Sequence, residues 1–329
     1  MRGRRTLAAM GTVVALTGQV GGAKLVDGLY RLRGKDLAAI VNTGDDYESL
    51  TLRFSPDIDT MLYMLSGMGS ASAPWEPANE SHALYGTLKL FGGPDRMQLG
   101  DRALAAPLLR SAWLAEDRRI TEITLDFCKH LGIGARVLPM SDDPVRTYVL
   151  TEDGEVSFHE YFSELGCEPT VTGFKYAGAE DAMLTQEISD ALDSEDLEAV
   201  VICPANPYHT IRPILEIPGM RELMRKRGAP VIAVTPIVGG KALKGSAGKI
   251  MKELGHEPSA RRVALEYLKL IDGFVMDSQD EASAQDVRAS GIEVLVANTV
   301  MRTLEDRTTL ARAVLAFAQT IRERRLQEA

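Results

Sequence analysis

Thr12-Val13-Val14-Ala15-Leu16-Thr17-Gly18-Gln19-Val20-Gly21-Gly22-Ala23-Lys24-Leu25 is the stretch whose reading decides the fold. Thr12 to Leu16 is a β-branched, apolar run suited to a buried strand. Leu25 to Leu32 has helical spacing, and Gly18 to Lys24 between them is a turn of mostly small residues. A second apolar run, Leu37 to Val41, ends in Asn42-Thr43-Gly44-Asp45-Asp46. The unit reads strand, turn, helix, strand. Its polar residues gather where the strands end, the edge at which parallel sheets bind ligands.

Outward from this unit, further apolar runs occur at Ala199 to Ile202, Val231 to Val234, Gly273 to Met276 and Ile292 to Val296, each separated by helical pattern. Near-continuous apolar character is that of strands buried on both faces of a parallel sheet. The expectation is one α/β domain over residues 1–329: a Rossmann-like, largely parallel sheet flanked by helices. A mainly helical insertion with a hairpin, at about 60–175, would cover the active site. The hairpin is placed at Thr147 to Val149 and Val156 to His159, around Glu152-Asp153-Gly154. A loop rich in Gly, Ser, Ala and Pro, from Gly67 to Glu80, interrupts the helical part.

A chain of 329 residues, 45% of them hydrophobic, can bury one large core, so a small stapled scaffold is excluded. The formal charge of -9 argues against a nucleic-acid binder, which needs a concentrated basic face. Cys128, Cys167 and Cys203 have neither CxxC spacing nor an even count and read as reduced residues of a cytoplasmic protein. The basic and apolar start, Met1 to Leu16, runs straight into the first strand and is too short in its apolar part for a leader or a span, so no membrane association is expected.

Three strands end in loops suited to phosphate. Gly18, Gly21 and Gly22 would let backbone N–H groups approach an anion at a helix start, with Lys24 nearby, though such a turn also serves as a tight connection. Pro204-Ala205-Asn206-Pro207 offers a fixed amide for a nucleobase edge or a phosphate oxygen. Thr235-Pro236-Ile237-Val238-Gly239-Gly240 and Lys244-Gly245 form the third loop. Beside them stand two carboxylate pairs, Asp45-Asp46 and Asp57/Asp59. Such an oxygen-only set suits Mg2+, which takes one or two carboxylates and completes its shell with water and substrate phosphate. Asp57 or Asp59 could instead cap the helix beginning near Thr60. The five histidines are scattered, with no metal-ligand spacing among them.

Across nearly its whole length the sequence resembles the 2-phospho-L-lactate transferase family, which assembles the deazaflavin coenzyme F420. The resemblance rests on Gly18 to Lys24, Asn42 to Asp46, Ser55 to Thr60, Leu99-Gly100-Asp101-Arg102, Arg136 to Thr147, Pro204 to Leu215 and Thr235 to Gly245. It implies that the hydroxyl of the deazaflavin acceptor Fo attacks the distal phosphorus of a guanosine diphospho-acid donor and GMP leaves. A cytoplasmic homodimer is also expected. Asp45 and Asp57 would be the catalytic, metal-binding aspartates, with Asp46 and Asp59 supporting them. Substrate would meet Gly18, Gly21, Gly22, Lys24, Thr43, Gly44, Asn206, Pro207, Gly239, Gly240 and Lys244. The proton acceptor stays unassigned, and so does the acid: phospholactate, phosphoenolpyruvate or phosphoglycerate.

Departures from the family pattern fall at Gln19, where a second glycine is usual, at Ala205, where serine is common, and after Trp75, where Glu76 replaces glycine. Two rival readings fit parts of the sequence. A nucleotide-sugar-binding regulator shares the glycine turn and the Asp-Asp pair but follows them with Gly-Gly-Ser-Ser, whereas Tyr47-Glu48-Ser49-Leu50 stands here. A dinucleotide dehydrogenase needs a tighter GxGxxG and leaves Asp57, Asp59 and Asn206 without a role.

Overall fold

The structure, a computed structural model, describes residues 11–93, 100–242 and 245–328. Its centre is a sheet of seven parallel strands: β1 (Thr12–Thr17), β2 (Leu37–Val41), β3 (Arg136–Pro139), β4 (Leu197–Ile202), β5 (Val231–Val234), β6 (Gly273–Asp277) and β7 (Glu293–Ala297). Their order is β7-β6-β5-β4-β1-β2-β3. All six pairings are parallel. Chain direction across the sheet reverses at β1, whose neighbours are β2 and β4. That is the topological switch point, where an open α/β sheet leaves a crevice beyond its strand ends.

Burial explains why these runs are strands. Val14 and Leu16 point into one core, Val13 and Ala15 into the other, so β1 is apolar throughout. On the second side lie α1 (Gln19–Arg33), α2 (Pro56–Ser66) and the last helix, α5 (Leu304–Glu328), together with α4 (Ile120–His130). α3 (Ala105–Leu114) packs on α4 and on the short strand Leu52–Phe54. Leu25, Val26 and Leu29 of α1 are fully buried, and truncating one to alanine costs about 2–5 kcal/mol. α1 approaches α5 closely at Gly28, where an added Cβ would stand 2.2 Å from the Arg307 carbonyl oxygen. Buried Asp27 pairs there with Arg307 at 3.0 Å.

Two expectations change. The helix expected from Leu25 begins at Gln19, so Gly21, Gly22 and Lys24 belong to its first turns and only Gly18 precedes it. Arg136–Pro139, inside the stretch read as insertion, pairs with β2 and forms the edge of the central sheet. The hairpin is present as Arg146–Thr151 and Gly154–Ser157, and a third antiparallel strand, Val171–Ala177, joins it. Among the described residues no helix is long and apolar enough to cross a membrane.

Candidate active site

Register brings the site residues together. Thr17 pairs with Val41, and Leu16 with Ile202, so Gly18, Asn42 and Cys203 leave the sheet side by side. A cavity of about 940 Å³ opens above these ends. Gln19, Gly21, Lys24, Asp45, Asp57, Asp59 and Asn206 line it, together with Tyr47, Phe158 and His159 of the hairpin side.

Asp57 is held from two sides. Pro56 opens α2 and Asp57 sits in its first turn, where the helix dipole favours negative charge. The Gln19 backbone N–H donates to Oδ1 at 2.7 Å and the Asn42 amide to Oδ2 at 3.1 Å. Even so, burial and the charge of Asp45 push its carboxyl up to about 7, against these hydrogen bonds. Asp45 is pushed up to about 8 by burial. Its Oδ2 lies 3.3 Å from Nδ1 of His209, and its buried Oδ1 has no hydrogen-bond partner. Burial drives His209 down to about 3, so the ring is neutral.

The other two aspartates are already engaged. Asp46 accepts from Ser55 Oγ at 2.7 Å. Asp59 faces the fully buried guanidinium of Arg110: Nη1 donates to Oδ2 at 3.3 Å and Nη2 donates to Oδ1. Arg110 also donates to the Arg53 carbonyl at 3.2 Å. The pair ties α2 to α3, and the Asp59 carboxylate is neutralised by a cation of the chain itself. A buried Arg was not among the residues singled out from sequence.

Asp45 and Asp57 face the large cavity and could hold a metal there, whereas Asp46 borders only a smaller one and Asp59 is paired with Arg110. Asp45 has an orphaned buried oxygen, and its charge disfavours ionisation of Asp57, a conflict that a bound cation relieves. Among the described residues no cluster of three or more His, Cys, Asp or Glu side chains could hold a metal. A cation here must complete its shell with water and substrate oxygen, which is the habit of Mg2+.

The remaining candidates divide. Asn206 is buried, and its Oδ1 accepts the backbone N–H of Tyr208 at 2.9 Å, opening the π-helical turn Pro207–Ile211. Gly21 is required by the close approach of this loop, since an added Cβ would lie 2.4 Å from the Pro204 carbonyl oxygen. A Cβ added to Gly22 would likewise stand 2.3 Å from Thr17 Oγ1, and one on Gly18 would meet Asp57 Oδ2 at 2.4 Å. Lys24 donates to the Met301 carbonyl at 3.0 Å and lies over Trp75, on the cavity wall. Thr43 is buried and its carbonyl accepts from Asp46; Gly44 donates to Asn42 Oδ1 at 2.8 Å and borders a smaller cavity behind Asp45. Gly239 and Gly240 form an exposed tight turn at φ 56° and 72°, outside the residues lining the large cavity. Lys244 and Leu99 lie outside the described residues.

Sequence reasoning passed over the aromatic wall and the last loop. Tyr47 stacks on His159 at 3.5 Å and on Phe54 at 4.8 Å between ring centroids, and Phe158 stacks on His209 at 3.9 Å. Thr299 to Arg302, following β7, completes the rim. Asp277 at the end of β6 holds this loop by accepting the Thr299 N–H at 2.8 Å.

A family model described as 2-phospho-L-lactate transferase CofD matches residues 13–313. A 2-phospho-L-lactate transferase of Methanococcoides burtonii is 34% identical, covering 94% of this chain and 100% of that protein. A phosphoenolpyruvate transferase of Kitasatospora aureofaciens is 35% identical over 94% of this chain and 98% of its own length. A solved structure of a UPF0052-family protein from Bacillus halodurans superposes with a TM-score of 0.60 at 16% identity, covering 94% of this chain and all of that one. The last likeness shows the fold alone.

Proposed function

Because this chain belongs to the 2-phospho-L-lactate transferase CofD family and is a transferase, we propose that it moves a 2-phospho-acid group from a guanosine diphospho-ester to the hydroxyl of the deazaflavin Fo. GMP leaves, and the product belongs to coenzyme F420 biosynthesis. The observation that carries this reading is the pairing of Asp45 and Asp57 beneath a cavity of about 940 Å³ at the switch point of the sheet. Relatives named for phospholactate and for phosphoenolpyruvate match the chain equally well. The proposal therefore covers the class of 2-phospho-acids, phosphoglycerate included.

Phosphoryl transfer asks a protein mainly to align nucleophile and leaving group and to neutralise charge. Asp45 and Asp57 would hold Mg2+, which supplies charge neutralisation on the diphosphate oxygens when bound. The acceptor hydroxyl forms the new O–P bond at the distal phosphorus, the bridging P–O bond to GMP breaks, and the hydroxyl proton passes to a base. Tyr47, Phe158 and His159 give the cavity an aromatic wall whose apolar character suits a flat ring system. Asn206 and the loop after β5 would face the guanosine side.

Purified protein mixed with Fo, Mg2+ and each guanosine diphospho-acid donor should release GMP and yield a more acidic fluorescent product. Absence of product with phospholactate, phosphoenolpyruvate and phosphoglycerate donors alike, together with tight UDP-sugar binding, would overturn the reading in favour of a regulator.

A further inference from the structure

Gln19 stands at φ +55°, in the left-handed region that glycine tolerates and a side chain with a Cβ resists. What the chain gains there is a junction. The Gln19 backbone N–H donates to Asp57, while its side-chain amide spans the gap between the turn after β1 and the loop after β4. The amide has only one orientation compatible with its neighbours. The Asn206 backbone N–H can only donate, and it reaches Gln19 Oε1 at 3.3 Å. The opposite atom, Nε2, carries two hydrogens and lies 3.3 Å from His209 Nε2. That ring nitrogen must then accept, so the ring proton sits on Nδ1. Nδ1–H in turn points at Asp45 Oδ2 at 3.3 Å, with Thr210 Oγ1 sharing it at 3.2 Å.

We propose that Gln19 is a positioning residue: through a directed chain of hydrogen bonds, Asn206 N–H to Gln19 to His209 to Asp45, it fixes the His209 tautomer and turns Asp45 so that Oδ1 faces the cation. At the end of that chain Asp45 Oδ1 is buried and makes no hydrogen bond to any of its members. The stacking of His209 on Phe158 holds the ring plane, leaving the tautomer as the variable that Gln19 decides. The part concerning the cation rests on the proposed role of Asp45; the part concerning the tautomer stands on the hydrogen-bond geometry alone.

Two measurements separate these parts, and neither needs turnover. Protein carrying 15N-labelled histidine should show His209 protonated at Nδ1 with Nε2 as acceptor; a wild-type ring protonated at Nε2 overturns the proposal. Gln19→Gly removes the amide and places the residue best suited to φ +55°, so the variant folds. Its His209 should populate the Nε2–H tautomer, and calorimetric affinity for Mg2+ alone should fall by about tenfold or more, the usual cost of losing an outer partner of a ligand. Unchanged Mg2+ affinity in Gln19→Gly, beside measurable wild-type binding, overturns the proposal. A wild-type protein that binds no Mg2+ overturns the cation role of Asp45, and with it the second half of the proposal, while the tautomer readout still decides the first.

Discussion

The Gln19 backbone N–H points directly at Asp57 Oδ1, 2.7 Å away, so the first residue of α1 and the first turn of α2 are locked together at the floor of the cavity. Asp57→Asn keeps the size and the helix start but removes the charge that a diphosphate-bound cation needs. Turnover is expected to fall by about 10²-fold or more, with circular dichroism and melting unchanged or improved. Near-normal turnover in this variant would remove Asp57 from the reaction.

Metal and pH act together on stability. The folded-state carboxyls of Asp45 and Asp57 lie at about 8 and about 7, above their unfolded values. Raised carboxyls bind more protons in the folded state, so the stability they contribute is fully present below the unfolded value of about 4 and declines as pH rises from there to about 8, where all are ionised; Asp46, raised to about 7 by burial, titrates with them. In EDTA the melting temperature should therefore decline over that range, apart from other titrations. Mg2+ binds the ionised pair and should restore stability at pH 8.5, by about 2.7 kcal/mol at a hundredfold excess over its Kd, and do little at pH 5.5. Equal stabilisation at both values would contradict the assignment.

The Arg110–Asp59 pair is buried and therefore costly to disturb. Arg110→Met strands a buried carboxylate and is expected to lower unfolding free energy by about 3–5 kcal/mol in urea titrations. Arg110→Met with Asp59→Leu should recover most of that loss, since the uncompensated charge is gone. If the double variant were no more stable than the single one, the pair would act through packing instead.

How much of this was legible in the sequence follows from the distance over which each signal acts. β1, β2 and β4 to β6 announce themselves because near-complete burial makes them almost continuously apolar, and the half-buried edge strand β7 still carries the apolar run Val294 to Ala297. Arg136–Pro139 is short, bounded by Arg and Pro, and gives no such run. The start of α1 was misplaced because Gly-Gln-Val-Gly-Gly reads as loop by propensity. The glycines serve close packing against Pro204 and Thr17 instead. The two pairs Asp45-Asp46 and Asp57/Asp59 stood out by their type and their place after the second strand, and only the family resemblance set Asp45 and Asp57 apart from the other two. The role of His209 did not, since its partners Asp45 and Gln19 lie 164 and 190 positions away. Arg110 was hidden for the same reason, its partner Asp59 being 51 positions away on a different helix.

Asp277 gives a second pH dependence of opposite sign. Hydrogen bonds from Gln279 and Thr299 hold its carboxyl below the usual value, against the effect of burial. A lowered folded-state value contributes stability above the unfolded pKa of about 4, and that contribution is lost as pH falls further. Asp277→Asn should flatten the acid limb of a stability profile below about pH 4. It should also loosen Thr299 to Arg302 at the cavity rim, raising KM more than it lowers kcat. A profile identical to wild type below pH 4 would refute this.

The glycines of α1 allow a test that separates packing from the site. Gly21→Ala puts a Cβ 2.4 Å from the Pro204 carbonyl oxygen, and Gly28→Ala puts one 2.2 Å from the Arg307 carbonyl oxygen. Both clashes are with backbone, which cannot rotate away, so each variant should lose about 1–3 kcal/mol of stability. Their effects on activity should differ, because Pro204 leads into Asn206 at the cavity whereas Arg307 belongs to α5 on the far side of α1. Gly21→Ala is expected to raise KM for the guanosine donor severalfold, and Gly28→Ala to leave KM unchanged at temperatures where both are folded. Matching KM values in the two variants would show that the Pro204–Asn206 loop does not contact the donor, and the guanosine side of the cavity would have to be sought elsewhere along its rim.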